Sequence, residues 1–196
     1  MTAPLSSPSV VLPIASISLL GAGAEGANLL SEFGLSSDGF DAEFAAMLQR
    51  LETSDSADAS VQAEVAKRLT AAARRATGVL SVTSLDEAIV PTYAFPCGEQ
   101  ALVLRVHGPV AEWLLVPEDE GGRLVLDAVE RAPSGAMVLA SRGGDPFAAA
   151  MVHDGQLRTA ARSVGSLEAL PAAGSLTLEV AIRWLFEAAS DGASRQ

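Results

Sequence analysis

The hydrophobic pattern of this chain changes its period at Val79, from near 3.6 residues to near 2. That switch restricts it to folds in which helices come first and an antiparallel sheet follows. Before the switch, Phe40, Phe44, Met47, Leu48 and Leu51 recur at spacings of four, three, one and three, which places all five on one side of a helix over 41–52. A second helix is expected over 61–76, burying Val61, Val65, Leu69, Ala72 and Ala76 and ending at Gly78, with 53–60 as a solvent-facing connection. After the switch, turn residues arrive every eight to twelve positions. The candidate strands are 79–83, 89–95, 101–107, 110–116, 124–130, 137–141, 147–153 and 157–162, of which five or six are expected to form. Gly108-Pro109, Gly121-Gly122, Pro133-Ser134-Gly135, Gly143-Gly144-Asp145-Pro146 and Asp154-Gly155 mark the reversals. No helix-length polar pattern separates consecutive strands, which argues against parallel βαβ units. Leu176, Leu178, Val180, Ile182, Trp184, Leu185 and Phe186 suit a final helix lying across the sheet. The fold expected is therefore α+β: two N-terminal helices, then an antiparallel sheet of five or six strands packed against a C-terminal helix. No internal repeat and no heptad run is visible in the sequence.

A length of 196 residues suits one domain, and 49% hydrophobic residues are enough to fill its core. We place that domain at 39–190. Residues 1–38 are rich in Ser, Pro, Gly and Ala, and their apolar residues Val10, Val11, Leu12, Ile14, Ile17, Leu19 and Leu20 keep no sustained period. This segment is expected to be a flexible arm, its apolar patch either docking as a short helix near 28–33 or waiting for a partner. Residues 191–196 are expected to be a disordered tail. The first 24 residues carry no charged side chain, and Ala22-Gly23-Ala24 satisfies the small-x-small rule for signal cleavage. No Lys or Arg precedes the apolar run, however, and Pro4, Pro8 and Pro13 interrupt it, so an uncleaved, cytoplasmic N-terminus is expected. Ser16 and Ser18 dilute the run further, and no membrane span is expected.

Charge and ligand inventory exclude several chemistries. Thirteen Lys and Arg against 24 Asp and Glu leave a net charge of −11, a poor match for nucleic acid. The single cysteine, Cys97, makes no internal disulfide, and with His107 and His153 the only histidines there is no zinc-ligand spacing. Cys97 and His107 are the one thiol and imidazole close in sequence, yet they read as a turn cysteine and a strand-end histidine, and His153 as the flank of a hairpin. Gly21-Ala22-Gly23-Ala24-Glu25-Gly26 spells G-x-G-x-x-G, but no βαβ unit follows it and Glu25 puts a carboxylate where a pyrophosphate would sit. Glu118-Asp119-Glu120 reads as a soluble hairpin tip rather than a cation site. No catalytic residue, no metal and no cofactor is therefore assigned. One feature points outward: Lys67, Arg68, Arg74 and Arg75 return after seven residues as a basic stripe along the second helix, suited to an acidic protein surface as well as to the helix dipole.

Past residue 142, Gly143-Gly144-Asp145-Pro146-Phe147 followed by a strand, Asp154-Gly155, another strand and Ser166-Leu167-Glu168 resembles the end of proteins in the SUKH superfamily, over about 30 residues. The resemblance implies a helices-then-sheet α+β domain and a bacterial immunity protein that binds and neutralises a toxin without catalysis. The chain departs from that pattern in lacking a Leu-Pro motif before an aromatic residue near the end of the second helix, and in its extra helix after Ser175. Acidic charge and small size also resemble type III secretion chaperones, and the uncharged, Ser-rich start resembles type III secretion substrates. The expected partner is thus another protein, with the oligomeric state open.

Overall fold

The computed structural model describes residues 9–86, 90–163, 166–169 and 177–190. It is an α+β architecture of three layers: helices, one antiparallel sheet, helices. In chain order the elements are strand β1 (Ser9–Pro13), a 3-10 helix (Ile14–Ala22), α1 (Ala24–Glu32), α2 (Phe40–Glu52) and α3 (Ala57–Arg75). Strands β2 (Val79–Ser84), β3 (Thr92–Pro96), β4 (Gln100–His107) and β5 (Val110–Pro117) follow, then α4 (Glu118–Glu130). Strands β6 (Ala136–Arg142), β7 (Asp145–His153), β8 (Gln156–Ser163) and β9 (Ser166–Ala169) come next, and α5 (Leu178–Ser190) closes the fold.

The sheet has nine strands in the order β1-β5-β4-β3-β2-β6-β7-β8-β9, every neighbouring pair antiparallel. From β2 onward the order reads the same from either end. Four strands and a helix (β2 to β5, α4) are followed by four strands and a helix (β6 to β9, α5), and the two sets join through β2 and β6 at the centre. An internal two-fold repeat therefore exists in the backbone although none is visible in the sequence. Both helices lie on the same face, α4 over β3 and β4 and α5 over β6 and β7. They enclose a core of Leu80, Val103, Val125, Val138, Ile182 and Leu185 among others. The opposite face of the first set carries a second core, in which the 3-10 helix, α1 and α3 cover Val79, Phe95, Leu102, Leu104 and Trp113.

Several expectations change. Residues 9–32 are not a flexible arm: β1 pairs with β5, and Ile17, Leu20 and Leu30 are buried in the second core, Leu20 completely. The 3-10 geometry explains the missing period, because three residues per turn match neither a helix nor a strand template. The domain boundary expected at residue 39 disappears with the arm, whereas residues 1–8 and the 191–196 tail lie outside the described residues. Seven of the eight candidate strands form, and β1 and β9 bring the sheet to nine; the start of the 89–95 candidate falls in 87–89, also outside the described residues. The eighth, 124–130, is part of helix α4. Glu118-Asp119-Glu120 is not a hairpin tip but the first turn of that helix, where carboxylates meet the positive end of the dipole behind Pro117. Gly121-Gly122 is not a reversal either. A Cβ at Gly121 would sit 2.5 Å from that of Ala101, so glycine lets α4 approach β4 closely.

Candidate protein-binding surface

Helices α2 and α3 differ in how much of themselves they bury. Helix α3 packs a stripe of Ala59, Ala63, Ala66, Leu69, Ala72 and Ala73 inward, small residues that let it approach the 3-10 helix. The expected face was offset: Leu69 and Ala72 are buried, but Val61 is 64% exposed. Helix α2 sits where its period predicted, beginning after Gly39 in a left-handed turn, yet none of its thirteen residues is buried. Phe40, Phe44, Met47, Leu48 and Leu51 are half-covered, and the rings of Phe40 and Phe44 stack with centroids 5.3 Å apart. Between α2, α3 and the 3-10 helix lies a groove of about 400 Å³, whose apolar wall includes Leu12, Leu19, Phe44, Met47, Leu51 and Ala66. Asp38, Glu43 and Arg50 stand among its polar lining.

The basic stripe runs along the exposed side of α3, and its members divide. Lys67 pairs with Glu52, and Arg74 Nη2 donates to Asp41 Oδ1 at 2.7 Å, so two of the four tie α3 to α2. The carboxylate of Glu52 holds the Lys67 ammonium above its ordinary pKa. Arg75 reaches only the amide oxygen of Gln100, at 3.5 Å, and Arg68 is exposed with no ion pair among the described residues. The stripe thus has a structural pair and an outward pair.

The remaining candidates separate. Cys97 is 2% exposed and donates its thiol to the carbonyl of Gln100 at 3.3 Å; burial is the main cause that pushes its pKa up, with Arg75 pulling it weakly down. A thiol in that state is a poor nucleophile. His107 lies at the other end of β4, roughly 24 Å away along the strand at ~3.4 Å per residue, with Nε2 3.7 Å from Glu112. His153 flanks the β7–β8 turn, its Nδ1 3.2 Å from the Ser134 carbonyl. Among the described residues no three His, Cys, Asp or Glu side chains group as metal ligands do. The G-x-G-x-x-G run joins the 3-10 helix to α1, and its glycines serve packing. A Cβ at Gly23 would lie 2.0 Å from the Ala73 carbonyl oxygen, and one at Gly26 would lie 2.2 Å from that of Leu20. Glu25 in the same run is 6% exposed, and both its carboxylate oxygens accept from the Gly143 N–H at 2.9 Å.

The sequence pattern marks the α2 face and the stripe but not the groove, because Leu12 and Leu19 sit in a segment that keeps no helix or strand period. The one available signal was that apolar segment itself. No helix among the described residues is long and apolar enough to cross a membrane. No protein-family model matches the chain, and a search of curated proteins returns no match.

Proposed function

We propose that this chain is a non-enzymatic protein-binding module whose contact surface is the half-covered apolar face of α2 with the groove beside it, flanked by the basic stripe of α3. The observation that carries this reading is a thirteen-residue amphipathic helix with no buried residue. Apolar side chains left at a water-facing groove mark contact surfaces in soluble proteins, and helix-in-groove docking uses such spacing. Arg68 and Arg75 add two outward cations in a chain of net −11, which suits a partner segment with an apolar side and acidic residues. The partner class that the 143–170 resemblance implies is a toxin, which makes the protein an immunity protein. The groove favours a second reading, a secretion chaperone holding a client segment. Burial of Ile17 and Leu20 weighs against an exported substrate whose start is an unstructured address.

The test is affinity capture at low salt with four forms: wild type, Phe44→Asp with Met47→Asp, Arg68→Glu with Arg75→Glu, and the Lys67, Arg68, Arg74, Arg75 to Glu variant. Loss of the wild-type partner in the first two variants supports the surface. Equal recovery by all four forms rejects it. Co-expression with the captured partner then separates the two readings: rescue of cell growth marks an immunity protein, and increased solubility of the partner marks a chaperone.

A further inference from the structure

The internal repeat exposes a difference that neither core accounts for. On the face where the first four-stranded set is sealed by the 3-10 helix, α1 and α3, the second set presents two cross-strand rows. One row runs Thr83, Met137, Met151, Arg158 and the other Ser81, Leu139, Ala149, Ala160. Met137, Leu139, Ala149 and Met151 belong to neither hydrophobic core and are half-buried. A sheet face that simply meets water alternates apolar inward with polar outward, and this one keeps apolar residues at its centre. Its flanks are oppositely charged. Arg158 is exposed on β8, and Glu32 is exposed at the end of α1, which borders the same face beside Ser81 and Leu139. Neither makes an ion pair among the described residues. Between β2, beside α1, and β8 lie three strand spacings, or about 14 Å at ~4.8 Å each.

We propose that this face binds a second copy of the chain in a two-fold symmetric dimer. In an isologous contact each flank meets the opposite flank of the other copy. An apolar centre between an acid on one side and a base on the other is therefore self-complementary: Met137, Leu139 and Met151 pack on their counterparts, and Arg158 of each copy meets Glu32 of the other, twice per dimer. The methionines adapt readily to such a contact. This surface lies apart from the α2 groove, so a dimer leaves the proposed partner site free.

Light scattering coupled to size exclusion, run on the full chain over a range of loading concentrations, tests the proposal. The expected mass is twice 20.1 kDa. Leu139→Glu and Met151→Glu should each give monomer with an unchanged circular dichroism spectrum. Arg158→Glu and Glu32→Arg, both at exposed positions, should each weaken the dimer by about tenfold or more, as like charges then face each other twice. The double variant Arg158→Glu with Glu32→Arg should restore it. A monomer throughout, up to about 100 µM, overturns the proposal, as does a dimer indifferent to residues 139 and 151 or one that the double exchange fails to restore. If either of these open-face substitutions unfolds the chain, the charge exchange alone decides.

Discussion

The two halves of the sheet have the same plan and different surroundings. Strands β2 to β5 with α4, and strands β6 to β9 with α5, each form a four-stranded meander and a helix, and α4 and α5 seal one face of both. On the other face the first half is closed by the N-terminal elements, whereas the second half has no such cover among the described residues. The comparison teaches that the N-terminal third is a half-cover, added where it buries Phe95, Leu104 and Trp113, and that α2 is its least anchored part. Where the cover is complete, side chains are fixed by packing; where it is thin or missing, apolar groups remain available to other molecules.

The largest expected effect breaks the sealed half. Trp113 is fully buried, and its indole N–H donates to Ser16 Oγ at 2.9 Å, joining β5 to the 3-10 helix. Trp113→Ala should destabilise by about 3–5 kcal/mol, whereas Met151→Ala on the open face should change stability by less than ~1 kcal/mol; urea unfolding of both measures the contrast. Next comes the cover's fit. Gly23→Ala forces a Cβ against the Ala73 carbonyl and should destabilise by about 1–3 kcal/mol, visible as a lower thermal midpoint.

The bond between the cover and the second half, from Gly143 N–H to Glu25, is of similar size and depends on pH. Desolvation is the main cause that raises the Glu25 pKa above its ordinary value, against lowering by the Gly143 N–H and Arg142. A carboxyl raised on folding binds its proton more tightly in the folded state, so stability falls as pH rises from the unfolded pKa through the folded one. Glu25→Gln keeps an acceptor for Gly143 and should abolish that slope. Glu25→Ala leaves the N–H without its acceptor and should destabilise by about 1–3 kcal/mol. Stability curves across acidic to neutral pH read both. The smallest effect sharpens the comparison within the cover: Arg68→Glu with Arg75→Glu should leave stability within about 0.5 kcal/mol and lower partner capture. Removing the exposed Lys67–Glu52 pair should change stability little, since solvent screens it.

How much of this was legible follows from the kind of signal each element carries. Helices α2 and α3 and seven strands announce themselves by period, since one side of each faces a core. Helix α4 was hidden by Gly121-Gly122, which imitates a turn but serves a close contact with Ala101; its acidic first turn and the Val125, Val129 pair were the better evidence. The 3-10 helix left no familiar period. The repeat is encoded in strand order, which no local pattern reports. For the candidate surface, the sequence named all four basic residues, but only coordinates separate Lys67 and Arg74, engaged by α2, from Arg68 and Arg75. It also placed α2's apolar side correctly without revealing that this side is only half-covered, because burial depends on what packs above it.

Hydrogen exchange followed residue by residue, on the chain alone and with its captured partner, tests the account most directly. The amides of 40–52 should exchange faster than those of α3, α4 and α5 in the free protein and gain the greatest protection on binding. Slow exchange across α2 in the free chain, or protection that falls elsewhere while 40–52 is unchanged, would contradict it.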